Sequence, residues 1–206
     1  MQPYVITIAQ QKGGAGKSTI AAHLGVAFSK LGAKVALIDT DPQHTISHWF
    51  ELRKQLNTKY SLDCATSTGW KAGNEVARFK DSNIIIIDSP PHMETETKAA
   101  IRTADLVLIP CQPSPNDLWS TDATLKIVTK EEKPMALILN RCPYQSKLLK
   151  QIEAHFPEDM KKFFIGNRVV FAASMLKGLT AIETEPSSSA ANEILQIGEI
   201  LYNSIK

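Results

Sequence analysis

The sequence has few cysteines, and their spacing argues against a cysteine-held metal. Only Cys64, Cys111 and Cys142 occur among 206 residues, and no two of them form a Cys-x-x-Cys pair. An odd number of cysteines cannot all be paired within one chain, which is typical of a reducing compartment. We therefore interpret all three as packing residues and expect a cytoplasmic protein.

Long apolar runs and a strong net charge are also missing. No segment approaches the roughly 18 consecutive apolar residues that a membrane-spanning helix requires, and Met1 leads into a strand-like segment rather than a signal peptide. The net charge is +2 and the pI is about 8.4, which falls short of the pI above about 9 that marks an obvious nucleic-acid-binding protein. Composition thus predicts neither membrane insertion nor DNA binding. With 43% hydrophobic residues the chain can bury a core, and we expect a single domain over 1–206.

What the chain does contain is an alternation of short apolar runs with longer segments of helical period. This alternation is typical of an α/β fold with a doubly wound, mostly parallel sheet. The runs are almost continuously apolar, which indicates strands covered by helices on both faces. The predicted strands are residues 4–9, 34–38, 84–87, 106–109, 135–139 and 163–165, with 61–66 as a candidate edge strand.

Four segments carry the helical pattern. Apolar residues between 20 and 31 recur at helical spacing and end at Gly32, a suitable C-cap. Segments 46–56 and 70–80 also have a helical pattern. A closing helix follows the Pro186-Ser-Ser-Ser run and places four apolar residues on one face, namely Ile194, Ile197, Leu201 and Ile205.

A glycine-rich segment, Gln11–Thr19, lies between the first strand and the first helix, the position of a phosphate-binding loop. Its glycines allow successive backbone N–H groups to point at a phosphate, and the helix N-terminus adds its positive dipole. Lys17 is expected to bridge the β- and γ-phosphates, and the Ser18 hydroxyl to bind Mg²⁺. The predicted nucleotide-binding residues of this loop are Gly13, Gly14, Ala15, Gly16, Lys17, Ser18 and Thr19.

Lys12, five residues before Lys17, adds a second lysine to the loop. With it, the loop resembles that of the ParA/MinD family of ATPases, P-loop NTPases of the deviant Walker A type with a "signature" lysine ahead of the glycines. The resemblance implies a homodimer that forms on ATP binding, with each Lys12 contacting the phosphates held by the other subunit. The plainer interpretation is a solvated surface lysine.

Two carboxylate motifs lie at predicted strand ends. Asp88 ends the run Ile84–Ile87, and Asp39 and Asp41 follow the second strand. Asp88 is placed to hold Mg²⁺ through water, and Asp39 can support the same hydrated ion. Asp41 matches the family's acid that orients the attacking water, so Lys12, Lys17 and Asp41 form the expected catalytic set. The alternative role for such aspartates is helix capping.

Base recognition is predicted from two segments that would flank an adenine in this family. Asn140 and Arg141 follow one predicted strand and Pro113 follows another. An Asn amide can both donate to and accept from the adenine edge. The guanine motif is missing because Asn140 is followed by Arg-Cys-Pro, so ATP is expected rather than GTP. A structural turn-cap role for Asn140 is the alternative.

The segment 140–178 carries seven basic and three acidic side chains, so the rest of the chain is net negative. Such a patch, doubled in a dimer, could bind double-stranded DNA without sequence preference. Residues 166–171 resemble the family's DNA-contacting region, and Arg168, Lys147 and Lys150 are the candidate contacts. The alternative is a merely solvated basic face.

The resemblance runs end to end and implies a short ParA protein without an N-terminal helix-turn-helix domain. It predicts an Mg²⁺-dependent ATPase, stimulated by a ParB-like or centromere-binding adaptor, that segregates plasmid or chromosomal DNA from a nucleoid-associated position. An orphan relative that positions a protein cargo, such as a chemoreceptor cluster, carboxysome or secretion complex, shares every motif. A MinD-like membrane ATPase is disfavoured because residues 198–206 hold only one basic residue, Lys206.

Overall fold

A computed structural model describes residues 2–92 and 94–205. Met1, Met93 and Lys206 lie outside them, including the one basic residue of the C-terminal segment considered above. The strands are β1 (Tyr4–Ile8), β2 (Val35–Asp39), β3 (Asp63–Thr66), β4 (Ile84–Asp88), β5 (Leu106–Cys111), β6 (Met135–Cys142) and β7 (Lys162–Gly166). They form one seven-stranded sheet in the order β3-β2-β4-β1-β5-β6-β7. Each neighbouring pair is parallel, which confirms the predicted architecture.

Helices pack on both faces of this sheet. They are α1 (Lys17–Lys30), α2 (Thr45–Lys54), α3 (Ala72–Arg78), α4 (Glu94–Arg102), α5 (Pro115–Lys130), α6 (Lys147–His155), α7 (Val170–Met175), α8 (Ala181–Thr184) and α9 (Ser189–Asn203). The run Ile84–Ile87 explains why both faces need cover, since successive strand side chains point to opposite sides. Ile84 and Ile86 join the core under α1 and α9, whereas Ile85 and Ile87 pack with Ala72 and Ala100 of α3 and α4.

One candidate element is confirmed, and the boundaries of two others differ from the sequence-based expectations. Strand β3 is the edge strand predicted within 61–66. The helix predicted over 70–80 divides into a 3-10 turn at Gly69–Lys71 and the short α3. Strand β6 continues past Leu139 to Cys142 through an irregularity in its pairing with β7. Such a bulge lets a strand continue while it re-aims its side chains, so Asn140 and Arg141 belong to the strand and not to a following loop.

Several packing expectations are confirmed. Helix α1 ends at Lys30, and Gly32 follows with φ of 90°, a left-handed conformation that glycine adopts without strain. The structure also buries Trp49, whose indole N–H donates to the Leu179 carbonyl. Cys111 and Cys142 are buried and Cys64 is half-buried; all three are free thiols.

The parallel strands bring their carboxyl ends to one edge of the sheet. In the pairing of β2, β4 and β1, Asp88 lies opposite Asp39 on one side and Ile8 on the other. The loop that follows Ile8 therefore meets both aspartates at this edge, where open α/β sheets bind ligands. Among the described residues, no helix combines the length and apolarity needed to cross a lipid bilayer.

Candidate nucleotide-binding site

The loop between β1 and α1 has the conformation that its glycines predict. Gly14 and Gly16 have φ of 78° and 100°, in the region that residues with a Cβ rarely adopt. A Cβ on Gly16 would also lie 2.3 Å from Nδ2 of Asn140. Gly16 is the residue immediately before α1, so the loop ends on the N-terminus of a helix. This geometry is suited to binding a phosphate through backbone N–H groups.

Lys17 lies within the first turn of α1 and is almost fully buried among the acids at the strand ends. Burial lowers the pKa of Lys17, while the charges of Asp88 and Asp41 oppose that shift. Burial therefore outweighs the two carboxylates, and a bound anion would restore the stabilisation that the ammonium loses on leaving water.

Asp88 is the strongest indication of a cation at this edge. Its side chain is buried, and neither carboxylate oxygen has a well-formed hydrogen bond within the described residues, although the Ser18 hydroxyl is near enough to act on its pKa. Burial raises the pKa of Asp88 to about 7, and the carboxylates of Asp39 and Asp41 add to the rise. The Ser18 hydroxyl and the Lys17 ammonium act in the opposite direction. A buried carboxylate without partners is costly unless a cation compensates it, so the residues fit a hydrated Mg²⁺ beside Ser18.

No group of three or more His, Cys, Asp or Glu side chains in the described ranges is arranged to hold a metal by itself. The phosphates of a nucleotide would have to complete the coordination, which is how Mg²⁺ is commonly bound at phosphate-transfer sites. Ser18 and Asp88 are thus suited to a metal that arrives with its nucleotide.

Asp39 and Asp41 have structural partners as well. Asp39 accepts hydrogen bonds from the backbone N–H and the hydroxyl of Ser47, at 2.8 and 2.7 Å, and so fixes the first turn of α2. The capping role considered for such aspartates is therefore present at Asp39. Asp41 accepts from the Gln43 N–H through one oxygen at 2.9 Å. The charge of Asp41 also acts on the neighbouring Lys17. The role of Asp41 in orienting water stays a prediction.

The two segments predicted to contact a base meet beside the loop. Asn140 donates its amide to the Ala15 carbonyl at 2.9 Å and accepts from the Arg141 N–H at 2.9 Å. The amide therefore fastens β6 to the phosphate loop, and Arg141 has φ of 55°. Pro113, Arg141 and Asn167 line one shallow cavity. The other predicted base segment is not a free loop, because Ser114 is the N-cap of α5 and Pro115 its first residue.

Lys12 lies at the surface end of the same loop and turns back onto its own subunit. Its ammonium forms an ion pair at 2.5 Å with Asp117 of α5; the lysine side chain is 34% exposed and the aspartate 3%. Asp117 also accepts from the Ser114 hydroxyl, and its second oxygen has no partner in the described part of the chain. Lys12 is thus partly accessible, whereas its acidic partner is not.

A family profile described as the CobQ/CobB/MinD/ParA nucleotide-binding domain matches residues 6–201. The chain belongs to this family. The match confirms the ParA/MinD resemblance drawn from Lys12 and the glycine-rich loop, and it establishes nucleotide binding as the family's common property.

The relatives of this ParA/MinD-family chain carry names that refer to different cellular roles. It is 24% identical over 205 residues to maintenance of carboxysome distribution protein A from Halothiobacillus neapolitanus, covering 94% of each chain. It is 25% identical over 232 residues to the chromosome-partitioning ATPase Soj from Thermus thermophilus, covering 94% of this chain and 93% of the other. The structure of a Cyanothece McdA variant in complex with ATP superposes with a TM-score of 0.79 at 22% identity, over 98% of this chain and 97% of that one.

A buried polar stripe on α5 escaped the sequence analysis of this ParA/MinD-family chain. Asp117, Thr121 and Thr124 recur at i, i+4 and i+7 and are all buried. Gln10 donates to Thr121 and accepts from Thr124, and the Gln11 N–H donates to Thr124. The stripe therefore attaches α5 to the start of the phosphate loop, at Gln10 and Gln11. Its signal was a helical repeat of polar residues where an apolar face would be expected.

The three predicted DNA contacts differ in their surroundings. Lys147 and Lys150 of α6 are exposed. Arg168 instead pairs with Glu193 of α9 at 2.6 Å and lines a pocket together with Gly16, His23 and Asn140. Glu193 already compensates the charge of Arg168 within the subunit. The Arg168 side chain therefore lies beside the start of α1 and the end of β6 rather than on an open basic face.

Proposed function

We propose that the chain is a ParA-type ATPase whose ATP-bound homodimer binds double-stranded DNA without sequence preference. The observation that carries the proposal is the pair of lysines on one loop. Lys17 is buried against Asp41 and Asp88, whereas Lys12 is partly exposed and held by one ion pair. One lysine is therefore suited to the nucleotide of its own subunit and the other to the nucleotide of a facing subunit.

The chemistry assigned to the site is Mg²⁺-dependent hydrolysis of ATP. Backbone N–H groups of the loop and Lys17 would bind the phosphates, and Ser18 and Asp88 would hold Mg²⁺. When bound, Mg²⁺ neutralises charge on the phosphate oxygens. Asp41, with one oxygen already engaged by Gln43, keeps its other oxygen for a water positioned in line with the γ-phosphate.

The proposed partners are a second copy of this chain, DNA, and a ParB-like or centromere-binding adaptor that stimulates hydrolysis. A chromosome-partitioning relative that matches nearly end to end supports this assignment. The exposed Lys147 and Lys150 supply phosphate contacts that are doubled when the dimer forms. A nucleoid-associated location follows from this DNA binding.

A second candidate function is the positioning of a protein cargo, and a specific observation favours it. The carboxysome distribution relative also covers 94% of both chains. The nucleotide switch would be the same, and only the adaptor and the cargo would differ. Deleting the gene and measuring both plasmid loss and the spacing of protein assemblies in the source cell separates the two candidates.

The nucleotide switch is tested with two lysine variants. Lys17→Ala is expected to weaken ATP binding itself, because this side chain is buried within its own site. Lys12→Ala is expected to bind ATP as a monomer and to lose both the ATP-dependent dimer and retention on nonspecific duplex DNA. Titration calorimetry, light scattering and DNA retention measure the three properties. A Lys12→Ala protein that still dimerises with ATP and binds DNA would refute the role across the dimer.

A further inference from the structure

A three-residue polar cluster joins the loops after β6 and β7 to helix α9; we call them the base-side loops because they adjoin Asn140 and Arg141, which are predicted to contact the base. Glu193 of α9 lies at its centre. One carboxylate oxygen accepts from the Tyr144 hydroxyl at 2.8 Å, and the other accepts from Arg168 at 2.6 Å and from the Gly166 N–H at 2.9 Å. Tyr144 follows β6 and Arg168 follows β7, so Glu193 connects the ends of two neighbouring strands.

The cluster is tightly determined. The Arg168 guanidinium carbon lies 5.9 Å from the centre of the Tyr144 ring, a cation–π distance. Arg168 also packs over Gly166, where an added Cβ would approach its Nη1 to 2.1 Å. Burial, together with Glu193, raises the pKa of the Tyr144 phenol above its usual value, so the hydroxyl stays protonated and donates. The carboxylate of Glu193 therefore has both oxygens engaged.

The position of the cluster gives it a consequence for the nucleotide. The Arg168 side chain lines the pocket between the start of α1 and the ends of β6 and β7, together with Gly16, Asn140 and Asn167. The Asn167 N–H also bonds the Cys142 carbonyl at 3.3 Å, which brings the two strand ends together. Arg168 forms part of the wall of this pocket, and its polar contacts are with Glu193 and Tyr144 rather than with the phosphate loop.

We propose that Tyr144, Arg168 and Glu193 form a clamp that positions the two base-side loops, with Glu193 as a positioning residue for the base of the bound nucleotide. The inference rests on the proposed ATP-binding function. It assigns Arg168 to the nucleotide side and not to DNA, because its charge is compensated by Glu193 and its side chain forms a pocket wall. DNA contact is left to Lys147 and Lys150.

The test compares a ligand that has a base with one that does not. The probes are Mg²⁺–ATP and Mg²⁺–tripolyphosphate, titrated calorimetrically into the full chain. Glu193→Ala is expected to weaken ATP binding about ten-fold, as expected for the loss of charge-assisted hydrogen bonds, and to leave tripolyphosphate binding unchanged. Glu193→Gln keeps an acceptor and is expected to lose less, and Tyr144→Phe less again. Glu199→Ala, an exposed acid on the same helix, is the matched control.

The outcomes separate the inference from the function it rests on. A wild-type chain that fails to bind ATP overturns the proposed function. If wild type binds ATP but Glu193→Ala binds both probes normally, or loses both equally, the clamp is overturned and the function survives. An Arg168→Ala protein with wild-type ATP affinity but weaker DNA retention makes Arg168 a DNA contact and likewise overturns the clamp. Selective loss of ATP affinity supports it.

Discussion

At the scale of single residues, Lys12 is the side chain on which the proposed switch depends. In the monomer it is paired with Asp117, whose side chain is almost fully buried. Moving Lys12 to a phosphate of a facing subunit would leave that acid without its cation, and a buried carboxylate without a partner is costly. The intrasubunit ion pair therefore opposes dimer formation, and the phosphates must compensate for its loss.

Asp117→Asn is predicted to make dimer formation easier. The amide keeps the size of the side chain and an acceptor for Ser114 but removes the charge that holds Lys12. Because Lys12 is partly exposed, the effect is modest, and the ATP concentration for half-maximal dimer is expected to fall about two- to ten-fold. Light scattering across an ATP titration measures it. Asp122→Asn, an acid of the same helix whose only ion-pair partner among the described residues is His155, is the control and should leave the midpoint unchanged. A raised midpoint in Asp117→Asn would contradict the argument.

At the scale of elements, the junction of α1 with α7 and α8 depends on a neutral histidine. His23 is fully buried, its Nδ1 lies 2.8 Å from the Thr19 carbonyl, and its Nε2 accepts from the Ala181 N–H at 3.1 Å. Its ring also meets the edge of Phe171. This arrangement requires a proton on Nδ1 and none on Nε2. Protonation at Nε2 would break the bond to α8 and charge a buried ring.

The fold is therefore predicted to lose stability in mild acid through His23. Burial lowers the pKa of His23 from 6.5 to about 4. Since the folded pKa is depressed, the contribution is complete above pH 6.5 and is lost as the pH falls toward 4. Between pH 7.5 and pH 5, the free energy of unfolding of wild type should fall by about 2 kcal/mol more than that of His23→Gln.

Urea unfolding at several pH values measures this difference. Comparing wild type with His23→Gln cancels the groups common to both, including Asp88, whose raised pKa acts in the opposite direction. His48→Gln, at an exposed histidine, is the control and should keep the wild-type dependence. Parallel pH profiles for wild type and His23→Gln would contradict the prediction.

At the scale of the whole molecule, the parallel sheet gives the chain two unlike edges. The carboxyl ends of the strands carry the phosphate loop, the acids and the start of α6 with Lys147. The opposite edge carries the starts of β2 and β4, where Lys34 and Lys80 are exposed. A dimer formed through the nucleotide edge would bring Lys147 and Lys150 of both subunits toward one region. Lys34 and Lys80 of the two subunits would stay apart.

The salt dependence of DNA binding is predicted to distinguish these two edges. Replacing Lys147 and Lys150 by alanine removes four charges from a dimer and should flatten the slope of log K against log salt by as much as about 3 to 4. DNA retention at several salt concentrations, with ATP saturating, measures the slope. The double variant Lys34→Ala with Lys80→Ala removes the same net charge and should keep the wild-type slope. Equal flattening by both pairs would indicate net charge alone and contradict a localised DNA face.

The local sequence determined much of the fold and the phosphate side of the site. Glycine spacing within Gln11–Thr19 fixes a loop because its residues are contiguous and need left-handed backbone at Gly14 and Gly16. Apolar runs such as Ile84–Ile87 indicate a doubly covered strand for the same local reason. The ends of the elements could not be predicted in the same way. The bulge through which β6 continues to Cys142, for example, depends on the pairing of β6 with β7.

Only the tertiary structure decided which distant side chains meet. Lys12 and Asp117 are 105 residues apart, and no periodicity in either segment joins them. They pair because β1 lies beside β5 in the sheet, so that the loop after one strand faces the helix after the other. The resemblance of residues 166–171 to a DNA-contacting region made Arg168 a candidate DNA contact, and only the tertiary structure shows that α9 places Glu193 against it. The sequence determined the chemistry available at this edge, and the strand order determined its partners, because contacts between parallel strands depend on topology and not on local pattern.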